Sequence, residues 1–536
     1  MKALSPTMAR LISGLATVGA LALSAVASGQ QASDRPTVTL TQGGLVGRED
    51  GAVTAFLGIP YAAAPVGANR WRAPQPAPHW RGYRDATRYG ASCMQNLLPA
   101  GRPPWTSEYM APGPVSEDCL SLNVWTPGTT AAKLPVLVWI HGGAFTEGSG
   151  SVPIYRGAAL AGKGVVVVTI NYRLGLFGFL AHPDLTREAG NGPVSNFGLQ
   201  DQIAALRWVR DNIARFGGDP NQVTVAGQSA GSMAVHSLVA SPLARGLFVR
   251  AIAQSGLPTV LPIQTLRQAE ERGLAFAGLK HAASLDRLRA MTPAQLALPP
   301  AKAAAGPDLA FGPIVDGRLL PDSPGVMVAR GTFNDVPMII GQTADEGSAF
   351  PGYGLGDAAS YQAVMTRRFG NKAPEFIRLY PGSTDAERSR AAKDAARDGG
   401  LAMVGEWAHA RIAKGARPVW GYLYSHAEPG SGADVFGAFH SSEIPYAFGT
   451  LDMAPARGFT LADRELSLAM SEYWVNFVRS GNPNGPGLPG WKPMDANAPT
   501  IIEFEASRIA ERPLLSDEKR KAFRQFLADG GQLSMF

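Results

Sequence analysis

The stretch that most restricts the fold runs from Phe216 to Gly231. Phe216-Gly217-Gly218-Asp219-Pro220-Asn221-Gln222 reads as a loop and Val223-Thr224-Val225 as a short β-branched strand. Gly227-Gln228-Ser229-Ala230-Gly231 then reads as a tight turn into a helix over 230–240. A G-x-S-x-G turn in that setting makes a sharp strand-to-helix corner with the serine hydroxyl at its tip. The two glycines are required because a side chain at either position would collide with the neighbouring strand and helix. The five-residue pattern is short enough to recur by chance, and its place between strand and helix gives it weight. A serine displayed this way is an activated-nucleophile candidate, which points to hydrolysis of acyl groups.

The surrounding chain supplies an α/β rhythm. Val136-Leu137-Val138-Trp139-Ile140 and Val165 to Ile170 are unbroken apolar runs, as expected of strands buried on both faces. Ala251-Ile252-Ala253, Val336 to Ile340 and Val419 to Tyr424 continue the series. Asp201 to Phe216 carries Ile203, Leu206, Val209, Ile213 and Phe216 on one helical stripe. Strands separated by helix-length segments predict a large, mostly parallel central sheet with helices on both faces. Ahead of it, Val38-Thr39-Leu40 with Gly43-Gly44 predicts an opening hairpin. Residues 60–118, rich in Pro, Gly and Trp, predict a long surface excursion. The Ala- and Arg-rich stretches around 265–305 and 355–415 interrupt the rhythm, and we expect them to be helical insertions capping one end of the sheet. Residues 28–536 then form a single catalytic domain.

A serine hydroxyl needs a base, and histidine suits neutral pH. Among eight histidines, His79, His281 and His409 sit in polar or helical stretches and His236 lies on the helix after Ser229. His440 sits in Gly437-Ala438-Phe439-His440-Ser441-Ser442-Glu443-Ile444-Pro445-Tyr446, a loop following a strand late in the domain. The base needs an acid to fix its tautomer, and the chain order for this fold is serine, acid, histidine. Gly341-Gln342-Thr343-Ala344-Asp345-Glu346-Gly347 follows a strand in that interval, and spacing does not choose between Asp345 and Glu346.

Together these blocks resemble the type-B carboxylesterases, the cholinesterase-like branch of the α/β-hydrolases. The resemblance runs from about Thr37 to about Trp491. It is carried by Ser116-Glu117-Asp118-Cys119-Leu120-Ser121-Leu122-Asn123-Val124-Trp125, Trp139-Ile140-His141-Gly142-Gly143-Ala144-Phe145, the serine block, Asp345-Glu346-Gly347, and His440 to Tyr446. It implies a Ser229–His440–Glu346 triad and an oxyanion hole made by the amides of Gly143, Ala144 and Ala230. It also implies Ser255 and Glu443 as supports near the acid, and a bridge between Cys93 and Cys119. Tyr109, Phe145, Phe311, Phe350, Phe439 and Tyr446 lie near the motifs and are expected to line an apolar cleft. Cholinesterases carry tryptophans where this chain has Tyr109 and Pro262, so choline esters fit poorly and aryl or alkyl esters fit better. The same machinery on amides, carbamates or lactones is the rival reading. A non-catalytic adhesion module is a remote one, because all three triad residues are present.

Other classes are excluded by composition and motif. The net charge of +6 is diffuse, and the densest basic stretch, Arg81 to Arg88, is short and contains Asp85, so no nucleic-acid partner is expected. There is no H-E-x-x-H, no dinucleotide glycine motif after a first strand and no phosphate loop, so neither metal nor cofactor is expected. Residues 1–27 read as a cleaved secretory leader: Lys2 and Arg10, an apolar run from Leu11 to Ala27 and Ala25-Val26-Ala27 as cleavage site. That run falls short of the ~20 residues of a membrane span. We therefore expect export to the periplasm or medium, no lasting membrane anchor, and a monomer or weak homo-oligomer acting on a small-molecule ester. Export places both cysteines in an oxidising compartment.

Overall fold

The computed structural model describes residues 35–129, 133–257, 263–297 and 311–535. The leader at 1–27 and Pro262 lie outside them, as does part of the 265–305 insertion. Thr37–Thr39 (β1) and Gly44–Val46 (β2) pair as the expected antiparallel hairpin. Among the described residues the main sheet has eleven strands. In chain order these are Arg48–Asp50 (β3), Val53–Pro60 (β4), Ser121–Thr126 (β5), Leu134–Ile140 (β6), Val166–Ile170 (β7), Gly218–Gln228 (β8), Arg250–Gln254 (β9), Met338–Thr343 (β10), Val419–Tyr424 (β11), Thr500–Glu505 (β12) and Arg508–Pro513 (β13). Their order across the sheet is β13-β12-β11-β10-β9-β8-β6-β7-β5-β4-β3. The pairs from β7 through β12 are parallel, and the flanks, β7-β5-β4-β3 and β12-β13, are antiparallel.

The parallel centre follows from the apolar runs. Val136 to Ile140 and Val166 to Val168 are buried, because helices cover both faces and no side of these strands meets water. The helix Phe197–Asn212 (α1) continues into a tighter turn over Ile213–Phe216, and its apolar stripe is buried. The helix Ala230–Ala240 (α2) starts at the residue after Ser229. The long helix Asp385–Ile412 (α3) lies along β10: Gln342 Nε2 donates to the Arg397 carbonyl at 2.9 Å and the Arg411 guanidinium to the Val336 carbonyl at 2.7 Å. The last part of the 355–415 insertion therefore packs against the strand Met338–Thr343 of the sheet. The helix Leu461–Ser480 (α4) also covers the sheet, and its Trp474 Nε1 donates to Gln254 Oε1 at 3.0 Å.

Between β4 and β5 the chain makes the expected excursion. It holds only short turns and strands of two or three residues, and Cys93 and Cys119 are joined by a disulfide. Among the described residues, no helix is long and apolar enough to cross a membrane.

Candidate active site

The strand order reverses at β6: the chain goes next to β7 on one side and then to β8 on the other. Ligands of open α/β sheets bind at such a point, beyond the carboxyl ends of the strands. Here the neighbours β6, β8, β9, β10 and β11 are followed in the chain by Gly143, Ser229, Ser255, Glu346 and His440. One cavity of about 240 Å³ is lined by Gly143, Ser229, Ser255 and His440.

Ser229 sits on a corner with φ +59°, a conformation rarely taken by a residue with a side chain. Its N–H donates to the Gln254 carbonyl at 2.8 Å and its carbonyl starts α2. Both flanking glycines are sterically required. A Cβ on Gly227 would lie 2.5 Å from the Gly231 backbone, and one on Gly231 would lie 2.1 Å from the Ile140 carbonyl oxygen.

After β6 the chain turns through Gly143 (φ +104°), Ala144 (φ +54°) and Phe145 (φ +61°). The Gly143 carbonyl accepts from the N–H groups of Thr146 and Glu147, both at 2.9 Å, and the Tyr172 hydroxyl donates to the His141 carbonyl at 2.9 Å. The amides of Gly143, Ala144 and Ala230 are spent on no acceptor among the described residues, and all three residues line the cavity. Three unspent N–H groups lining one cavity, one of them at the start of α2, suit a developing oxyanion.

His440 Nδ1 contacts Glu346 Oε2, and the Thr343 N–H donates to Glu346 Oε1 at 2.8 Å. Asp345 turns elsewhere: it accepts from the Tyr353 hydroxyl at 3.0 Å and from the Ala438 N–H at 3.1 Å. Burial pushes the His440 pKa down, the Glu346 carboxylate pushes it up, and the net displacement is above 6.5. His440 Nε2 lies 3.2 Å from Gln228 Nε2. Glu443 is fully buried and accepts from Gln254 Nε2 at 3.1 Å. Burial, then the charge of Glu346, pushes its carboxyl up to about 7. Ser255 follows β9 with φ +52° and donates its N–H to the Gly341 carbonyl at 2.8 Å.

Of the six expected pocket residues, Tyr109, Phe145 and Phe350 line the cavity and the other three do not. Phe311 packs edge-on against Phe276, and Phe439 packs against Tyr109 behind the wall. Tyr446 is buried and donates its hydroxyl to Asp463 at 2.6 Å. Nearness in sequence to a motif does not fix which way a ring turns. Trp105, Met110, Tyr155 and Met233 also belong to the apolar lining, and no motif in the sequence assigns them to it.

The carboxylesterase family matches residues 34–521. The chain is 39% identical over 491 residues to the fumonisin B1 esterase of Sphingopyxis macrogoltabida, covering 89% of this chain and 88% of that one. It is 35% identical to the para-nitrobenzyl esterase of Bacillus subtilis (strain 168), covering 91% and 98%. A solved PNB esterase structure superposes with a TM-score of 0.75 at 34% identity, covering 91% of this chain and 99% of that one. The chain belongs to the carboxylesterase family and is a carboxylesterase with the α/β-hydrolase fold.

Proposed function

We propose that the protein is an exported serine esterase that cleaves uncharged aryl or alkyl esters through an acyl-enzyme on Ser229. The observation that carries the reading is the sharing of one cavity by Ser229, His440 and three unspent amides, with His440 Nδ1 on the Glu346 carboxylate. Nδ1 is thereby the protonated nitrogen, and Nε2 is left as the base. His440 Nε2 takes the Ser229 proton as Oγ bonds to the ester carbonyl carbon. The carbonyl electron pair moves to oxygen, where the amides of Gly143, Ala144 and Ala230 hold the charge. Collapse re-forms the carbonyl and breaks the bond to the alcohol, which leaves with the proton from Nε2. Water, deprotonated by the same nitrogen, then repeats the cycle on the acyl-enzyme and releases the acid. Glu346 stays ionised throughout.

The largely apolar lining supports uncharged substrates, and a buried disulfide with the leader pattern supports export. We take the working form as a monomer or weak homo-oligomer. The expected result for Ser229→Ala is a folded protein with kcat reduced roughly 10⁴-fold or more. A serine-directed organophosphate should add one equivalent to the wild type by intact mass and none to the variant. Undiminished turnover by Ser229→Ala would end the assignment. The acid limb of kcat/KM should fall above pH 6.5, because His440 must be neutral to act and its pKa is raised.

A further inference from the structure

We propose that Gln228, the residue before the nucleophile, is a positioning residue for His440. Its carboxamide donates to Nε2 of the neutral ring in the free enzyme, yields that lone pair to the Ser229 hydroxyl when the ester binds, and turns over to accept from Nε2–H once the ring is protonated. The proposal rests on the reading of His440 as the base.

Gln228 is 2% exposed and ends β8, in register with Gln254 of β9. Its backbone is therefore fixed by the sheet, and its side chain is packed between Gly142 and the His440 ring. A Cβ on Gly142 would lie 2.8 Å from the Gln228 carbonyl oxygen and 3.1 Å from its Oε1. Its Nε2 stands 3.2 Å from His440 Nε2. Two nitrogens at that distance attract only if one donates and the other accepts. Glu346 accepts at Nδ1, so the neutral ring carries its proton there and presents a lone pair at Nε2, which an amide N–H matches. The contact thus selects the tautomer that general-base catalysis needs.

After proton transfer Nε2–H would face the amide N–H₂, an unfavourable pairing. Half a turn about the last side-chain bond brings Oε1 to Nε2 instead. A carboxamide can serve both protonation states this way, whereas a carboxylate would favour only the imidazolium and an apolar side chain neither. Charged groups acting on the ring include Glu346, from the loop after β10, and Glu443, which precedes the short helix Ile444–Phe448. Arg102 and Glu147, paired with each other at 2.8 Å, also line the cavity.

The test is the pH profile of kcat/KM for an aryl ester with wild type, Gln228→Glu and Gln228→Met, each repeated in a Glu443→Gln background so that a moving limb belongs to His440. Gln228→Glu should raise the acid limb by about one unit or more, since a carboxylate within contact distance favours the imidazolium. Gln228→Met should lower kcat/KM about 5-fold at the plateau, the loss of one hydrogen bond of ~1 kcal/mol. An unmoved limb in Gln228→Glu overturns the proposal while Ser229 still takes up organophosphate. If Gln228→Glu does not fold, the ¹⁵N resonance of His440 Nε2 decides: a hydrogen-bonded position in wild type that is lost in Gln228→Met supports the proposal, and identical positions overturn it. A wild-type profile with no acid limb at all would overturn the parent reading, and this one with it.

Discussion

Gly143, Ser229 and Ser255 hang from the ends of β6, β8 and β9, three adjacent parallel strands whose ladders fix the backbone within the sheet. Residues 95–111, which supply Gln95, Leu97, Leu98, Trp105, Tyr109 and Met110 to the same cavity, belong to no strand of that sheet. Single side chains hold them instead. Gln95 bridges to Gly148 through two bonds of 2.8 Å, and Trp105 Nε1 donates to the His440 carbonyl at 2.8 Å. The Tyr109 hydroxyl donates to Glu428 at 2.7 Å. Arg457 reaches the Pro104 carbonyl at 2.8 Å and covers the Tyr109 ring at 5.3 Å. One region is built by backbone and the other by side-chain contacts across long chain separations. The first should therefore fail abruptly when its backbone is disturbed, and the second by degrees.

The largest effect is expected where the backbone is crowded. A Cβ on Gly143 would stand 2.1 Å from the Glu147 carbonyl oxygen, and φ is +104° there, so Gly143→Ala must move the turn that carries two of the three cavity amides. We expect kcat to fall about 10²-fold or more with the acid limb of the pH profile in place. Near-wild-type kcat in a folded Gly143→Ala protein would break the comparison, because it would show that the turn tolerates displacement.

The same contrast explains what could be read from the sequence. Val136 to Ile140 and Val419 to Tyr424 were legible as strands because burial on both faces leaves only apolar residues, and β11 begins and ends where that run does. The Ser229 corner was legible because its geometry demands glycines at fixed offsets. Asp345 and Glu346 were not separable by spacing. What separates them is the turn after β10, which sends Asp345 to Tyr353 and Ala438 and Glu346 to His440. The flanking strands β4, β5, β12 and β13 and the helix α4 were not legible, since their half-polar patterns carry weaker signals. The loop wall was the least legible part. Trp105 touches the His440 loop across 335 residues, and no local pattern announces such a contact.

A middle-sized effect tests how the loop wall is held. Glu428 is buried at the wall, between Tyr109 and Arg457, and burial pushes its carboxyl up to about 8 against the charge of Arg457. In the unfolded chain that carboxyl ionises near 4.5, so between there and 8 the folded protein keeps a proton the unfolded chain has lost. Stability must then fall as pH rises through this window and level off above it. The substitution Glu428→Gln abolishes that titration in both states. The variant should therefore gain on wild type by about 2 kcal/mol between about pH 6 and 8, at ~1.4 kcal/mol per unit less relaxation. Urea unfolding at the two pH values reads the gap. A gap that does not change would mean that Glu428 is ionised throughout and that the wall is held by its charge on Arg457.

The smallest effect sharpens the link between the two regions. Trp105→Phe keeps an aromatic ring against the cavity and removes the indole N–H that bonds the His440 carbonyl. One neutral hydrogen bond is worth ~1 kcal/mol, so kcat/KM should fall about 5-fold. If the wall acts on catalysis by holding the His440 loop, the loss should fall in kcat, with KM for a small ester almost unchanged. If Trp105 acts only as a surface for substrate, the retained ring should leave kcat alone and any change should appear in KM. Steady-state kinetics on one short and one bulky aryl ester separate the two. A loss in kcat for both esters would tie the loop wall to the strand-end chemistry through this single bond.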